Sequence, residues 1–243
     1  MGPHSIIGPD VEVGPGTQIG SCVLITGRVI MGSNNRIFHG AVIGEEPQDV
    51  KFNDEETGVI IGDNNLIREY VTVHRATGQG NTIVGNNNML MAYSHIAHNV
   101  QVGNNTVIVN AAQLGGHSVV EDHAFISALC TVHQFVRIGK HAITGGSSRV
   151  NQDVPPFMMA VGYEAEITGV NRVGLRRRGF SSQEIDNIVE AYRILYRSGL
   201  ATSTALNKLK QELGNDPNIQ YLLNFFDSTK RGVIRKSRKS ARK

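Results

Sequence analysis

An aliphatic residue returns every six positions from Ile7 to Val150, and few folds can satisfy such a period. The first run is Ile7, Val13, Ile19, Ile25, Met31, Ile37 and Ile43, and the second is Ile61, Ile67 and Val73. The third is Val84, Leu90, Ile96, Val102, Ile108, Leu114, Val120, Ile126, Val132 and Ile138; it skips at Thr144 and resumes at Val150. A helix repeats every ~3.6 residues and an ordinary strand every ~2, so neither carries this pattern. It belongs to the hexapeptide repeat, in which six residues make one short strand and a corner. Three repeats close a coil of about 18 residues, giving a triangular prism with the aliphatics stacked inside. Small residues such as Gly14, Gly32, Gly62, Gly85 and Gly103 follow many of the aliphatics, as corners with close backbone approach require.

A single coil cannot bury its own apolar face, so stability must come from stacked neighbours. The absence of Trp and an aromatic content of only 6% suit a thin prism filled by Ile, Val and Leu. Cys22 and Cys130 fall in different coils, read as small apolar or corner residues, and are too few for a disulfide framework. That usage fits a reducing cytoplasm. No apolar run reaches the roughly 18 residues of a membrane span, and the amino terminus has no signal-peptide core. The first repeat starts mid-pattern, as if one coil were missing.

The period breaks at 45–58, a polar and acidic stretch read as a loop projecting from the prism. A smaller break at 75–82 resets the register, and Pro155-Pro156 ends the repeat. The prism is therefore assigned to residues 1–156, and 157–235 to a linker and a helical module. In that module Ser181 and Glu184 form a capping box ahead of Ile185, Ile188, Val189 and Tyr192. Leu206, Leu209 and Leu213 mark a second helix ending at Gly214, and Asp216-Pro217 opens a third. Residues 236–243 form a basic tail; from Lys230 onward the chain carries eight Lys or Arg and no acid. This charge suits a solvated tail or an acidic partner, while the lack of interleaved aromatics argues against nucleic acid.

The coil length converts histidine positions into geometry. His98, Gly116 and Gln134 are one coil apart, so they stack, with His117 beside His98, and with His95 and His133 nearby. Three readings of this strip stand open. A histidine could act as general base on a hydroxyl, with the unobstructed Gly116 N–H stabilising an oxyanion. His95, His98 and His117 could bind zinc in a hydratase. The strip could also be a purely structural histidine ladder. Farther on, Arg176, Arg177 and Arg178 precede a helix start and could bind phosphate.

The motifs Ile43-Gly44-Glu45 with Gln48-Asp49-x-Lys51, Ile67-Arg68-Glu69 with Val73-His74-Arg75, and His95-Ile-Ala-His98 occur in order. They are followed by Gly116-His117, Val132-His133-Gln134-Phe135, Gln152-Asp-Val-Pro-Pro156 and Gly169-Val-Asn171 with Gly174-Leu-x-Arg-Arg-Gly-Phe180. With these motifs the chain resembles the UDP-N-acetylglucosamine O-acyltransferases that open lipid A biosynthesis. The resemblance implies a left-handed parallel β-helix that forms a homotrimer with active sites between neighbours. It implies transfer of an (R)-3-hydroxyacyl group to the sugar 3-hydroxyl from the phosphopantetheine of acyl carrier protein, with no bound cofactor or metal. Carried over by motif, His98 is the base and the Gly116 N–H the oxyanion donor. Asp49 and Lys51 lie near the sugar and acyl groups, and His95, His117, His133 and Gln134 hold the sugar and diphosphate. Asn171, Arg177 and Arg178 serve the nucleotide end. Gly146 matches the position that limits acyl length, where a glycine leaves room for a longer chain. Two residues depart from the family pattern: Asn99 where many relatives have Asp, and Val173 where some have an acid. The related N-acyltransferase of the same pathway is an alternative, opposed by Gln48-Asp49 and by the Gly169–Phe180 segment.

Overall fold

In the computed structural model, which describes residues 1–235, the six-residue period becomes three sheets of eight, seven and nine strands. The basic tail at 236–243 lies outside the described residues. Each short strand pairs in parallel with the strand one coil on: His95–Ile96 with Gln113–Leu114, and these with Thr131–Val132. The chain therefore winds as a β-helix that adds one strand per coil to each face. The recurring aliphatics point inward and stack; Ile96, Ile108, Leu114, Ile126 and Ile138 are fully buried. Each contributes about 1.5–3 kcal/mol of hydrophobic stabilisation. At the skip, Thr144 takes the inward position, and its hydroxyl accepts a 3.0 Å bond from the Ser127 N–H. Cys130 is buried inside the prism, while Cys22 sits at an exposed corner, and both are free thiols. The first coil has a neighbour on one side only, so Ile7 and Ile19 are half-buried and Val13 is 38% exposed.

Three edges join the faces. The first edge stacks Gly40, Tyr70, Tyr93, Ala111, Leu129 and Ser147; the second stacks Asn99, His117 and Phe135. The third stacks Asn64, Asn87, Asn105, His123, His141 and Phe157. All of these residues have φ between 54° and 69°, a left-handed turn that asparagine tolerates better than most residues. The next position on the third edge points inward as a buried polar ladder. Asn65 N–H donates to Asn35 Oδ1 at 2.9 Å, Asn88 N–H to Asn65 Oδ1 at 2.9 Å, and Thr106 N–H to Asn88 Oδ1 at 2.8 Å. The ladder satisfies backbone groups that the turn leaves without strand partners.

Both breaks in the period are excursions that leave the register intact. Val42 pairs with Thr72 across the 45–58 loop, and Thr72 pairs with His95 across the shorter break. Past the prolines, the segment read as a linker instead contains an antiparallel hairpin, Met158–Val161 with Glu166–Val170, which extends the face between the third and first edges. Four helices follow: α1 (Arg172–Arg177), α2 (Ser182–Tyr196), α3 (Thr202–Leu213) and α4 (Pro217–Asp227). Ser181 and Glu184 make both bonds of the capping box, Asp216 caps α4 and Gly214 closes α3. Helix α1 is absent from the sequence reading, which placed the arginines ahead of a helix start. Its six residues are too few for a periodic pattern; it forms because Asn171 caps it, Oδ1 accepting from Gly174 N–H at 3.1 Å.

The helical module docks on the face between the second and third edges. The Arg137 guanidinium lies 3.7 Å over the Phe225 ring and donates to the Phe225 carbonyl at 2.7 Å. Among the described residues no helix is long and apolar enough to cross a membrane. We expect Ile108→Ala, at the centre of the stack, to cost ~2–5 kcal/mol in denaturant unfolding. Val13→Ala in the partly exposed first coil should cost clearly less, and equal losses would contradict nearest-neighbour stacking as the source of stability.

Candidate active site

The second edge carries the histidine strip. Because His95 pairs with Gln113 and Gln113 with Thr131, the register places His98, Gly116 and Gln134 in one column. The His117 ring stands edge-on to His98, with centroids 5.2 Å apart, and stacks on Phe135 at 4.7 Å. A groove of about 390 Å³ opens here, lined by Gln48, His74, His95, His98, Gly116 and Gln134 among others. His133 lines it too, its Nδ1 lying 3.1 Å from the Gln134 carbonyl. A larger cavity of about 710 Å³ lies in the helical module between Leu195, Tyr196, Leu206 and Phe226, away from this cluster.

His98 is held by its neighbour. Its Nδ1 lies 3.0 Å from Asn99 Oδ1. The Asn99 amide has one orientation, because the Thr77 N–H donates to Oδ1 at 2.9 Å and Nδ2 donates to the Gln79 carbonyl at 3.1 Å. Oδ1 is thus an acceptor, so Nδ1 of His98 carries the proton and Nε2 presents a lone pair. Asp49 Oδ2 lies 3.8 Å from that Nε2, both side chains being mostly shielded. The Lys51 backbone N–H, donating to Asp49 Oδ1 at 3.0 Å, is the main cause holding the Asp49 carboxyl below its usual range, with His98 adding to it. The Lys51 side chain itself is exposed.

Gly116 is required by this packing: a Cβ there would overlap Nε2 and Cε1 of the His98 ring. No acceptor for the Gly116 N–H occurs among the described residues. Burial, reinforced by His74 and His98, pushes His95 down to about 4, so it is neutral at neutral pH. Its Nδ1 lies 2.7 Å from the Thr72 hydroxyl. His117 is also lowered, mainly by burial and then by His98.

His74, Gln113 and Thr131 received no role from the sequence, yet all three line the groove. The signal was present: Thr72, His95, Gln113 and Thr131 form one register column, and His74 follows Thr72 by two. His74 is buried, its Nδ1 has no partner among the described residues, and its ring packs edge-on to His95 at 4.8 Å.

Four predicted residues are not brought to His98 within one chain. Asn171, Arg177 and Arg178 belong to the third edge, where Asn171 Nδ2 donates to the His141 carbonyl at 2.9 Å. The Asn171 side chain thus both caps α1 and clips it to the prism, while Arg177 and Arg178 are exposed. Gly146 is exposed on the first edge. Among the described residues no three His, Cys, Asp or Glu side chains converge as a metal site, so the trio proposed for zinc does not assemble.

A histidine, a glycine N–H and a carboxylate thus stand around one groove of a parallel β-helix, an arrangement compatible with acyl transfer and with other chemistries of the hexapeptide-repeat fold. Comparison with known proteins narrows this. A family profile described as bacterial transferase hexapeptide (six repeats) matches residues 81–116, and one described as UDP N-acetylglucosamine O-acyltransferase, domain 2, matches 153–234. The acyl-[acyl-carrier-protein]–UDP-N-acetylglucosamine O-acyltransferase of Thermodesulfovibrio yellowstonii is 49% identical, over 97% of this chain and 92% of that protein. The structure of LpxA from Acinetobacter baumannii superposes with a TM-score of 0.92 at 39% identity, covering 96% of this chain and 92% of that one. The UDP-N-acetylglucosamine acyltransferase of Bacteroides fragilis gives 0.89 at 41%, covering 96% and 99%. The chain belongs to the acyl-[acyl-carrier-protein]–UDP-N-acetylglucosamine O-acyltransferase family, and its fold is the left-handed parallel β-helix of that family.

The Gly116 geometry makes a direct prediction. Gly116→Ala should leave the fold intact, since the backbone there is not in the left-handed region, but should displace the His98 ring. Turnover is expected to fall by at least ~10²-fold, the scale of a lost general base. Circular dichroism and an unfolding midpoint close to the parent, together with parental turnover, would show that the ring tolerates the methyl.

Proposed function

We propose that this enzyme transfers an (R)-3-hydroxyacyl group from acyl carrier protein to the 3-hydroxyl of UDP-N-acetylglucosamine, the first step of lipid A assembly, in the cytoplasm. One observation carries the reading: His98 presents Nε2 to a groove beside the Gly116 N–H, with its proton kept on Nδ1 by Asn99. In this mechanism Nε2 takes the proton of the sugar hydroxyl as its oxygen attacks the thioester carbonyl. The oxyanion forms against the Gly116 N–H. The C–S bond then breaks, and the imidazolium returns the proton to the departing phosphopantetheine thiolate. Asp49, kept ionised, stabilises the imidazolium through space. His95, kept neutral, offers a hydrogen bond without competing charge. The carrier's thioester supplies the activation, so no further cofactor enters the scheme.

The placement of the arginines supports a homotrimer. His98 lies on the second edge, while Arg177 and Arg178 lie on the third. In our reading one chain supplies the base, and the third edge of a neighbour supplies the nucleotide contacts. The face between the third and first edges is the surface suited to such contact, because its outward column, polar at Gln18 and Arg36, continues as Leu66, Met89, Val107, Phe125 and Ile143, all half-buried apolar residues. Gly146, at the border of that face, would limit the acyl chain.

His98→Ala should lower acyl transfer by ~10²–10⁴-fold with 3-hydroxyacyl carrier protein and UDP-N-acetylglucosamine, leaving UDP-sugar binding nearly unchanged. Parental turnover in that variant would remove His98 from the role. Co-expressed His98→Ala and Arg178→Ala chains should recover activity in mixed assemblies, because one pairing of edges is then intact. Mixed assemblies as inactive as either variant alone would place base and arginine in the same chain's site.

A further inference from the structure

We propose that Arg75 is a positioning residue that clamps the 45–58 loop, and so holds Asp49 against His98. The loop carries six acids, Glu45, Glu46, Asp49, Asp54, Glu55 and Glu56, against the single base Lys51. Left to itself such a segment repels itself and has no periodic apolar residues to fold on. One cation meets it from the prism. The Arg75 side chain is 15% exposed, and its Nη2 lies 3.5 Å from Glu46 Oε1 and 3.3 Å from Asp54 Oδ1. Its Nη1 donates to the Glu55 carbonyl at 3.4 Å, and its Cζ lies 4.8 Å over the Phe52 ring. The Arg75 backbone N–H also donates to the Glu45 carbonyl at 3.0 Å.

These contacts fall on both sides of Asp49. Glu45 and Glu46 precede it, and Phe52, Asp54 and Glu55 follow it, so one planar side chain closes the base of the excursion. Lysine reproduces this only in part, since a single ammonium cannot meet the two carboxylates through one nitrogen, the Glu55 carbonyl through another and lay a flat face on the Phe52 ring at once. The neighbouring His74 faces the groove. The same short segment thus lines the groove through one side chain and secures its opposite wall through the next. With the loop held in this position Asp49 sits 3.8 Å from His98 Nε2. Arg75 acts on the reaction through Asp49 and does not itself touch the reacting atoms.

The inference rests on the acyl-transfer reading for its kinetic consequence, but loop closure can be read without activity. Lys51 is the only Lys or Arg in the loop, so trypsin cleavage after it reports opening. Arg75→Met should raise the rate of that cleavage by ~10-fold or more while the unfolding midpoint stays near the parent, and Arg75→Lys should fall between the two. The double variant Glu46→Gln with Asp54→Asn, which releases the clamp from the loop side, should accelerate cleavage in the same way. In acyl transfer, Arg75→Met should lower kcat/KM by ~10-fold or more in the parent but by less than ~3-fold in an Asp49→Asn background, the signature of two residues acting as a unit. Unchanged cleavage at Lys51 in both variants would overturn the clamp. Faster cleavage with additive kinetic losses would overturn the link to Asp49. An enzyme without acyl-transfer activity that still shows the cleavage pattern would refute the proposed reaction and leave the clamp standing.

Discussion

Every feature of this molecule depends on the parallel pairing of each coil with the next. That pairing satisfies backbone groups and stacks identical positions at a strand spacing of about 4.8 Å. The interior can then be a column of like aliphatics, and the exterior must be a column of whatever stands eighteen positions apart. A side chain on such a scaffold has little freedom to wander, because its neighbours above and below occupy equivalent sites. This is why an imidazole at position 98 requires a residue without Cβ at position 116.

The scaffold explains the electrostatics of the groove as well. His74, His95, His98 and His117 are brought together by stacking, and burial first, then the nearby imidazoles, disfavours the charged forms of His74, His95 and His117. Adjacent imidazolium ions would be costly, and His95, pushed down to about 4, stays neutral and available as a hydrogen-bond partner. Asp49 supplies the opposite charge from outside the repeat. It can do so because the loop that carries it departs from the coil and returns in register. Asn99 sets the tautomer of His98 without adding a second carboxylate, so negative charge near the ring is concentrated on the Nε2 side.

Much of this was legible in the sequence, for a specific reason. When a chain folds with a fixed period, sequence separation becomes spatial neighbourhood. The column His98–Gly116–Gln134, the adjacency of His117, the two excursions and the three long helices follow from counting. The groove positions of Gln113 and Thr131 were legible by the same count but pass unnoticed, because neither residue type signals chemistry alone. Asn99 shows the limit. Its place beside His98 is plain from the sequence, but only the bonds from Thr77 and to Gln79 show which way its amide points.

By itself the sequence determined the prism, its faces and the composition of each column, because an aliphatic residue buried every six positions requires stacked coils of fixed length. Tertiary structure decided what stands on which edge. The hairpin at 158–170 and the Asn171 cap carry Arg177 and Arg178 to the third edge, away from His98, and no periodicity encodes that path. It also decided that Arg75 turns towards the projecting loop while His74 turns into the groove. Those outcomes depend on contacts between segments with unrelated periods, where sequence distance no longer measures distance in space.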